Sequence, residues 1–190
     1  DGEQLTLQKS KSLSSYTGWY NAIEVADFDN DGDMDIICGN WGLNTRLKAA
    51  PSTPIQLYIQ DFNNNGKLDP IVTYYYKGEE TTIATKDELV KQLPSINKKY
   101  LSYNAFAKAQ FSQLLPNEKL AKASVKEVTE LGSVYFENKG DLQFEKHLLP
   151  NDVQISSVHD IFIEDINKDG FKDAILVGND YQISTQLGRL

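Results

Sequence analysis

A short acidic stretch occurs three times in the chain and constrains the fold more than any other feature. The copies read ADFDNDGDMDII from Ala26, QDFNNNGKLDPI from Gln60 and EDINKDGFKDAI from Glu164. Each copy has glycine at loop position 6 and an oxygen-bearing side chain at positions 1, 3, 5 and 9. These side chains are Asp27, Asp29, Asp31 and Asp35 in loop one, Asp61, Asn63, Asn65 and Asp69 in loop two, and Asp165, Asn167, Asp169 and Asp173 in loop three. Such fixed spacing indicates one structural unit used repeatedly.

The spacing of these oxygen atoms suits a bound calcium ion. Ca²⁺ takes about six to eight oxygen ligands at roughly 2.3–2.6 Å, and a tight loop directs the side chains at positions 1, 3 and 5 toward one point. Glycine at position 6 permits the sharp turn, so that the carbonyl of position 7 can join them. The position-7 residues are Asp33, Lys67 and Phe171. Asp, Asn and Gly also favour ordinary turns, but three copies with the same spacing and apolar flanks favour calcium binding.

The residues around the loops predict β-hairpins and exclude EF-hands. An EF-hand needs a bidentate glutamate at position 12 and a helix on each side of the loop. Position 12 is Cys38, Val72 or Leu176, and none of these side chains carries a carboxylate. Apolar residues alternate before each loop, as Ile23 and Val25 do, and a short β-rich run follows it. This pattern predicts a strand on each side, so each acidic loop is expected to connect the strands of a hairpin.

The local pattern resembles the FG-GAP repeat, which is also described as VCBS-type or integrin-α-like. In this repeat a strand is followed by a D-x-[DN]-x-[DN]-G-x-x-D loop and a second strand. The stretches ADFDNDGDMDIICGN and EDINKDGFKDAILVGND match it well, whereas QDFNNNGKLDPIVTYYY has two amide ligands and Pro70 after its loop. The segment SVYFENKGDLQFEKH, 133–147, resembles the outer hairpin of such a repeat. Two further features resemble bacterial proteins with this repeat: the GNWGLN sequence after loop one and a helical insertion after loop two. The resemblance covers roughly residues 15–83 and 132–187. It implies β-propeller blades, structural Ca²⁺ and an exported protein that is extracellular, periplasmic or on the cell surface.

The expected fold is therefore mainly β, with propeller-like blades and an inserted helical segment. Residues 1–84 are expected to hold the first two calcium-loop repeats, 85–131 the helical insertion, and 132–190 a further hairpin and the third calcium-loop repeat. Thr85 with Glu88 has the spacing of a capping box, and Ser102 is a candidate cap of a second helix. Propeller blades have four strands and several are needed for closure. We expect a partial propeller with open blade edges, through which copies could self-associate.

The composition of the chain argues against a nucleic-acid partner, a transmembrane segment and an internal disulfide. The formal net charge of −8 argues against a nucleic-acid partner, because phosphate binding needs a basic surface. No apolar run approaches the roughly 18 residues that span a bilayer, so no transmembrane segment is expected. The printed sequence begins without a basic, apolar leader, and any export signal is expected to have been removed or to lie outside it. The single cysteine, Cys38, excludes an internal disulfide and is expected to be a small buried hydrophobe.

Catalysis is not expected from the remaining motifs. SSVHD, from Ser156 to Asp160, contains serine, histidine and aspartate. However, neighbours on a strand point to opposite faces, and the members of a triad meet through the fold. Trp41 lies between glycines in GNWGLN and is a candidate contact for a sugar or a protein. Most of the other aromatic side chains are expected to belong to the core.

We therefore expect a calcium-stabilised extracellular binding or adhesion module rather than an enzyme. Its ligand would be a protein or a glycan at the cell surface, and the sequence does not identify it. Two alternatives stay open. The chain could be a segment of a propeller-type polysaccharide-degrading enzyme, with Glu24, Glu137 or Glu164 among its acidic groups, or a purely structural scaffold for a neighbouring domain.

Overall fold

The computed structural model describes residues 7–179, and these residues are mainly β, as predicted. The strands are β1 (Ala22–Ala26), β2 (Asp35–Gly39), β3 (Ile55–Gln60), β4 (Asp69–Tyr76), β5 (Glu79–Thr82), β6 (Ser124–Val128), β7 (Val134–Asn138), β8 (Phe144–Leu148), β9 (Asp160–Glu164) and β10 (Asp173–Val177). The helices are α1 (Lys86–Gln92), α2 (Ser95–Lys99), α3 (Tyr103–Ala107), α4 (Phe111–Leu114) and α5 (Asn117–Leu120). Contacts divide the described residues into unit one, 7–47 with 129–179, and unit two, 48–128.

Unit one contains two of the acidic hairpins. Strands β1, β2, β7 and β8 form one antiparallel sheet in that order, and β9 pairs with β10 in a second. Residues 133–147 thus include an antiparallel hairpin, as predicted. The β9–β10 hairpin packs its Ile161 side chain into a cluster with Ile37 and Val158. Cys38 is buried in a separate cluster with Val134 and Phe136, which agrees with the prediction that it is a buried hydrophobe.

Unit two contains the remaining acidic hairpin and the helices. Its sheet has the strand order β5-β4-β3-β6, and all of its pairs are antiparallel. The helices bury one shared core against this sheet, formed by Phe62, Ile71, Leu89, Leu93, Ile96, Phe111, Leu114 and Leu115. Thr85 and Glu88 make the predicted capping box of α1, and the Ser102 side chain accepts the N–H of Ala105 at the start of α3.

One segment of the predicted helical insertion is a strand. Within the range 85–131, the helices end at Leu120 and residues Ser124–Val128 form β6, which pairs along β3 from Ile55↔Val128 to Ile59↔Ser124. The SVKEV sequence of β6 is short and mostly exposed, so its alternation was too weak to predict a strand. Its hydrogen bonds to β3 determine its conformation.

The acidic loops connect antiparallel strands in all three cases, as predicted. The closing pairs are Ala26↔Asp35, Gln60↔Asp69 and Glu164↔Asp173. Within residues 7–179 no closed barrel or propeller is formed. None of the helices in this range is long and apolar enough to cross a membrane.

Candidate metal sites in the hairpin loops

The three acidic loops share one backbone conformation. Positions 4 and 6 have positive φ angles in every copy: 62° at Asn30, 59° at Asn64 and 62° at Lys168, then 96° at Gly32, 81° at Gly66 and 92° at Gly170. A Cβ added at any of these glycines would meet nothing within 4 Å. The backbone angle, and not a shortage of space, is therefore the reason for glycine at position 6.

Two carboxylates close each loop with the same pair of hydrogen bonds. The position-1 carboxylate accepts the N–H of position 6, at 3.0 Å from Gly32 to Asp27, 2.8 Å from Gly66 to Asp61 and 3.0 Å from Gly170 to Asp165. The position-9 carboxylate accepts the N–H of position 2, at 3.2 Å from Phe28 to Asp35, 3.0 Å from Phe62 to Asp69 and 2.9 Å from Ile166 to Asp173. These bonds attach the first and last acidic positions of each loop to the loop backbone.

The side chains at positions 3 and 5 are also bonded within each loop, and each accepts the N–H two residues ahead. In loop one, Asp29 accepts from Asp31 at 3.2 Å and Asp31 accepts from Asp33 at 2.9 Å. The other loops have matching bonds, in which the first residue's side chain accepts the second residue's backbone N–H: Asn63 from Asn65, Asn65 from Lys67, Asn167 from Asp169, and Asp169 from Phe171. Side chains of Asp and Asn commonly stabilise turns in this way.

Loop one has an unsatisfied carboxylate oxygen. Oxygen atoms of Asp27, Asp29 and Asp35 lie within 4.8 Å of one another. Exposed acidic groups also occur this close together without a metal, so the cluster alone identifies no ion. Asp27 Oδ1, however, is buried and has no hydrogen-bond partner. Desolvation, together with the negative charges of Asp31 and Asp35, raises the pKa of Asp29. Loop one therefore carries negative charge that its own N–H groups do not compensate.

The hydrogen bonding of the position-1 carboxylate is more complete in loop two than in loop one. Asp61 uses both carboxylate oxygens, accepting the N–H of Asn65 at 3.1 Å and that of Gly66 at 2.8 Å. The hydrogen bond from Gly66 lowers the pKa of Asp61, and the N–H of Asn65 and the positive charge of Lys119 act in the same direction. Phe62 at position 2 belongs to the core of unit two.

In loop three both oxygens of the position-1 carboxylate also accept N–H groups of the loop, but this loop is more open to solvent than loop two. Asp165 accepts the N–H of Asp169 at 3.1 Å and that of Gly170 at 3.0 Å. The amide of Asn167 donates to Asp169 Oδ2 at 3.0 Å, so part of the repulsion within this loop is relieved. Ile166 at position 2 is 53% exposed, in contrast to its buried counterpart Phe62 in loop two.

The residues that support Asp35 from outside loop one have no signal of their own in the sequence. Asp35 is only 1% exposed, and its carboxylate accepts the Tyr135 O–H at 2.8 Å and the Asn138 N–H at 2.7 Å. The Asn138 amide also donates to the Met34 carbonyl at 3.0 Å. Burial and the hydrogen bond to Asp35 raise the pKa of Tyr135. The predicted hairpin at 133–147 was the only signal for this contact, and it did not indicate which loop the hairpin adjoins.

The other candidate residues are distributed over unit one. Ser157 Oγ lies 3.0 Å from His159 Nε2, whereas Asp160 Oδ1 accepts the neighbouring N–H of Ile161. Trp41 is half-buried, and its ring meets that of Trp19 edge-on, with the ring centroids 5.5 Å apart.

The three candidate glutamates also lie on strands of unit one. Glu137 pairs with Lys139, which lowers the pKa of the carboxyl, and it also contacts His147 at 3.2 Å. Glu24 is exposed on β1, and Glu164 accepts the N–H of Asp165 at 3.3 Å. The structure does not bring these three glutamates together in one hydrogen-bonded group.

Comparison with family models, with curated proteins and with solved structures gave no match for this chain. The candidate sites therefore rest on the residues and the geometry described above. The resemblance to FG-GAP repeats stays an expectation from the loop pattern.

Proposed function

We propose that this chain is a calcium-stabilised binding or adhesion module of an exported protein, built from FG-GAP-type repeats that hold structural Ca²⁺ in their hairpin loops. The observation that carries the proposal is the buried, unpartnered Oδ1 of Asp27. A buried carboxylate oxygen without a partner is costly, and a cation in the loop would remove this cost. The Asp29 and Asp35 carboxylates lie beside it and would share the ion.

The donor set suits calcium better than a transition metal. In loop one the side chains of Asp27, Asp29, Asp31 and Asp35 and the carbonyl of Asp33 are the proposed ligands, and all of them offer oxygen. Hard oxygen ligands favour Ca²⁺, whereas thiolate and imidazole favour zinc and copper. The bonds from Tyr135 and Asn138 hold the Asp35 carboxylate in one orientation, as outer partners of metal ligands commonly do.

The sheet topology supports an assembly of blade-like units. A propeller blade is a four-stranded antiparallel sheet. Unit one contains such a sheet, β1-β2-β7-β8, and unit two contains another, β5-β4-β3-β6, each with one acidic hairpin. We propose that these sheets are blades of a partial propeller. Edge strands that lack a partner would then be available for pairing with a second copy of the chain. The ligand of the module would be a protein or a glycan.

Calcium is expected to raise the melting temperature of the protein, and EDTA is expected to lower it. If each site has a Kd of about 10⁻⁴ M, calcium at one hundred times this value adds about 2.7 kcal/mol per site. For a chain of this size, each occupied site would raise the melting temperature by roughly 5–10 °C. Differential scanning calorimetry at constant ionic strength measures this shift, with Mg²⁺ as the control ion. An unchanged melting temperature with both calcium and EDTA would rule out the proposal.

The three loops are expected to bind calcium in the order loop one, loop three, loop two. Ligand charge helps to set Ca²⁺ affinity, and positions 1, 3, 5 and 9 carry four carboxylates in loop one, three in loop three and two in loop two. Isothermal titration of Asp27→Asn, Asp61→Asn and Asp165→Asn variants assigns each binding step. The expected result is that Asp27→Asn removes the tightest step. Loss of that step in Asp61→Asn instead would show that charge does not determine the order.

A further inference from the structure

We propose that the ammonium group of Lys119 acts as an internal cation for loop two, so that this loop keeps its closed conformation without calcium. The inference deepens the proposed function, because it assigns a different source of positive charge to one of the three loops. It concerns unit two alone, where the helices α1 and α5 both contact loop two.

Lys119 contacts the loop directly. Its Nζ atom donates to the backbone carbonyl of Asp61 at 2.7 Å and also to the side-chain oxygen of Asn64. Asp61 is the first position of the loop, and Asn64 is the position with φ of 59°. One ammonium group therefore joins the start of the loop to its left-handed turn residue. Hydrogen bonds from a charged donor are stronger than those between neutral groups.

The position of Lys119 is fixed by its own helix. Its side chain is half-buried, and the next residue, Leu120, packs against the core of unit two. The side-chain amide of Gln60 donates to the carbonyl of Lys122 at 3.1 Å, which attaches the residues just after α5 to the strand that enters the loop. The ammonium group is therefore held at loop two and is not a solvated surface charge.

The end of α1 attaches the opposite side of the loop. The amide of Asn63 donates to the Gln92 carbonyl at 3.3 Å, and the Gln92 side chain donates to the Pro70 carbonyl at 3.3 Å. The Phe62 side chain is 6% exposed and packs in one cluster with Leu89. Because these contacts need no metal, the closed loop is stabilised by the helices themselves.

The charges of loop two are balanced within the chain. Its two proposed ligand carboxylates belong to Asp61 and Asp69. Lys67 is a residue of the loop itself, and the ammonium group of Lys119 contacts the loop. The buried, unpartnered oxygen found in Asp27 has no counterpart in Asp61, since both oxygens of Asp61 accept N–H groups. A fixed positive charge at this position also opposes the approach of a divalent cation.

The position-6 glycines provide a probe for each loop, because their N–H groups donate to the position-1 carboxylates. We would record amide NMR spectra of the intact protein in EDTA and in millimolar Ca²⁺. In the wild-type protein the Gly66 resonance is expected to move much less than the Gly32 resonance, because loop two binds Ca²⁺ most weakly and keeps its conformation in EDTA. In Lys119→Met, the Gly66 resonance should shift in EDTA and return on adding Ca²⁺, and loop two should bind Ca²⁺ roughly three- to tenfold more tightly.

The matched control is Lys122→Met, which removes an equal charge three residues away. The Lys122 side chain is exposed, and its carbonyl, not its ammonium group, makes the contact to Gln60. The Gly66 resonance in this variant should match that of the wild type. Equal behaviour of Lys119→Met and Lys122→Met would overturn the inference.

The wild-type spectra keep the inference testable even if Lys119→Met does not fold. A Gly66 resonance that moves as far as that of Gly32 when EDTA removes the metal would show that loop two depends on calcium, and Lys119 would have no such role. If none of the three glycine resonances responded to Ca²⁺, the proposed function would fail. The Lys119 inference would then still be decided by the spectra of its variant in EDTA.

Discussion

Replacing Asn40 with alanine is expected to lower the free energy of unfolding by about 3–5 kcal/mol. The Asn40 side chain is fully buried at the end of β2 in unit one. Its side-chain NH₂ group donates to the carbonyls of Glu130 and Gly132 at 3.0 and 3.1 Å, and its oxygen accepts the backbone N–H of Trp41 at 2.8 Å. Alanine would leave two carbonyls and one N–H without partners in a region closed to water. Each unpaired buried group costs about 1–3 kcal/mol.

The matched control for this substitution is Asn44→Ala. The Asn44 side chain is exposed, and the contact of this residue with Gln154 is made by its backbone N–H, which alanine keeps. The control should change the free energy of unfolding by no more than about 0.5 kcal/mol. Urea denaturation of both variants measures the difference. An Asn40→Ala variant as stable as Asn44→Ala would contradict the view that Asn40 joins β2 to residues 130–132.

The local elements of this fold can be predicted from the sequence, because their signals lie within a few residues of one another. Alternation in Ile23 and Val25, followed by a loop with glycine at position 6, is enough to predict the β1–β2 hairpin. The capping box of Thr85 and Glu88 predicts the start of α1 in the same way. Each of these signals lies within one short segment of the chain and does not depend on knowing a distant partner.

The pairing between hairpins could not be predicted in this way. Strand β2 pairs with β7, with Cys38 opposite Val134, and β3 pairs with β6, with Ile55 opposite Val128. No local pattern specifies a partner at such a distance along the chain. The strand β6 is the clearest case, because its own sequence carries little signal and its conformation depends on β3.

The candidate sites divide along the same line. The proposed ligand positions of all three loops follow from the spacing of oxygen-bearing residues, and the structure gives the loops one shared conformation. The differences between the loops come from distant residues. Tyr135 supports Asp35 in loop one, and Lys119 contacts Asp61 in loop two. Sequence spacing alone therefore predicts three similar loops, whereas the structure gives each loop different contacts from distant residues.

Replacing Asp35 with alanine is expected to destabilise the protein in two separable ways. In EDTA we expect a loss of about 2–4 kcal/mol, because the Tyr135 O–H, the Asn138 N–H and the Phe28 N–H all lose their acceptor. Relief of repulsion among the loop carboxylates would offset only part of this loss. In calcium the variant should lose, in addition, the stabilisation contributed by a bound ion, since Asp35 is a proposed ligand at position 9.

Asp31→Ala separates these two effects, because Asp31 is also a proposed ligand of loop one but lies on the exposed side of the loop. Its carboxylate accepts only the N–H of Asp33 among the bonds described for this loop, at 2.9 Å. We expect Asp31→Ala to lose much of the calcium effect while changing the free energy of unfolding in EDTA by less than about 1 kcal/mol. Calorimetry of both variants with and without calcium gives the comparison. If the two variants were equally stable in EDTA, the contact of Asp35 with the β7–β8 hairpin would contribute nothing to the fold, and its burial would have to be explained by calcium binding alone.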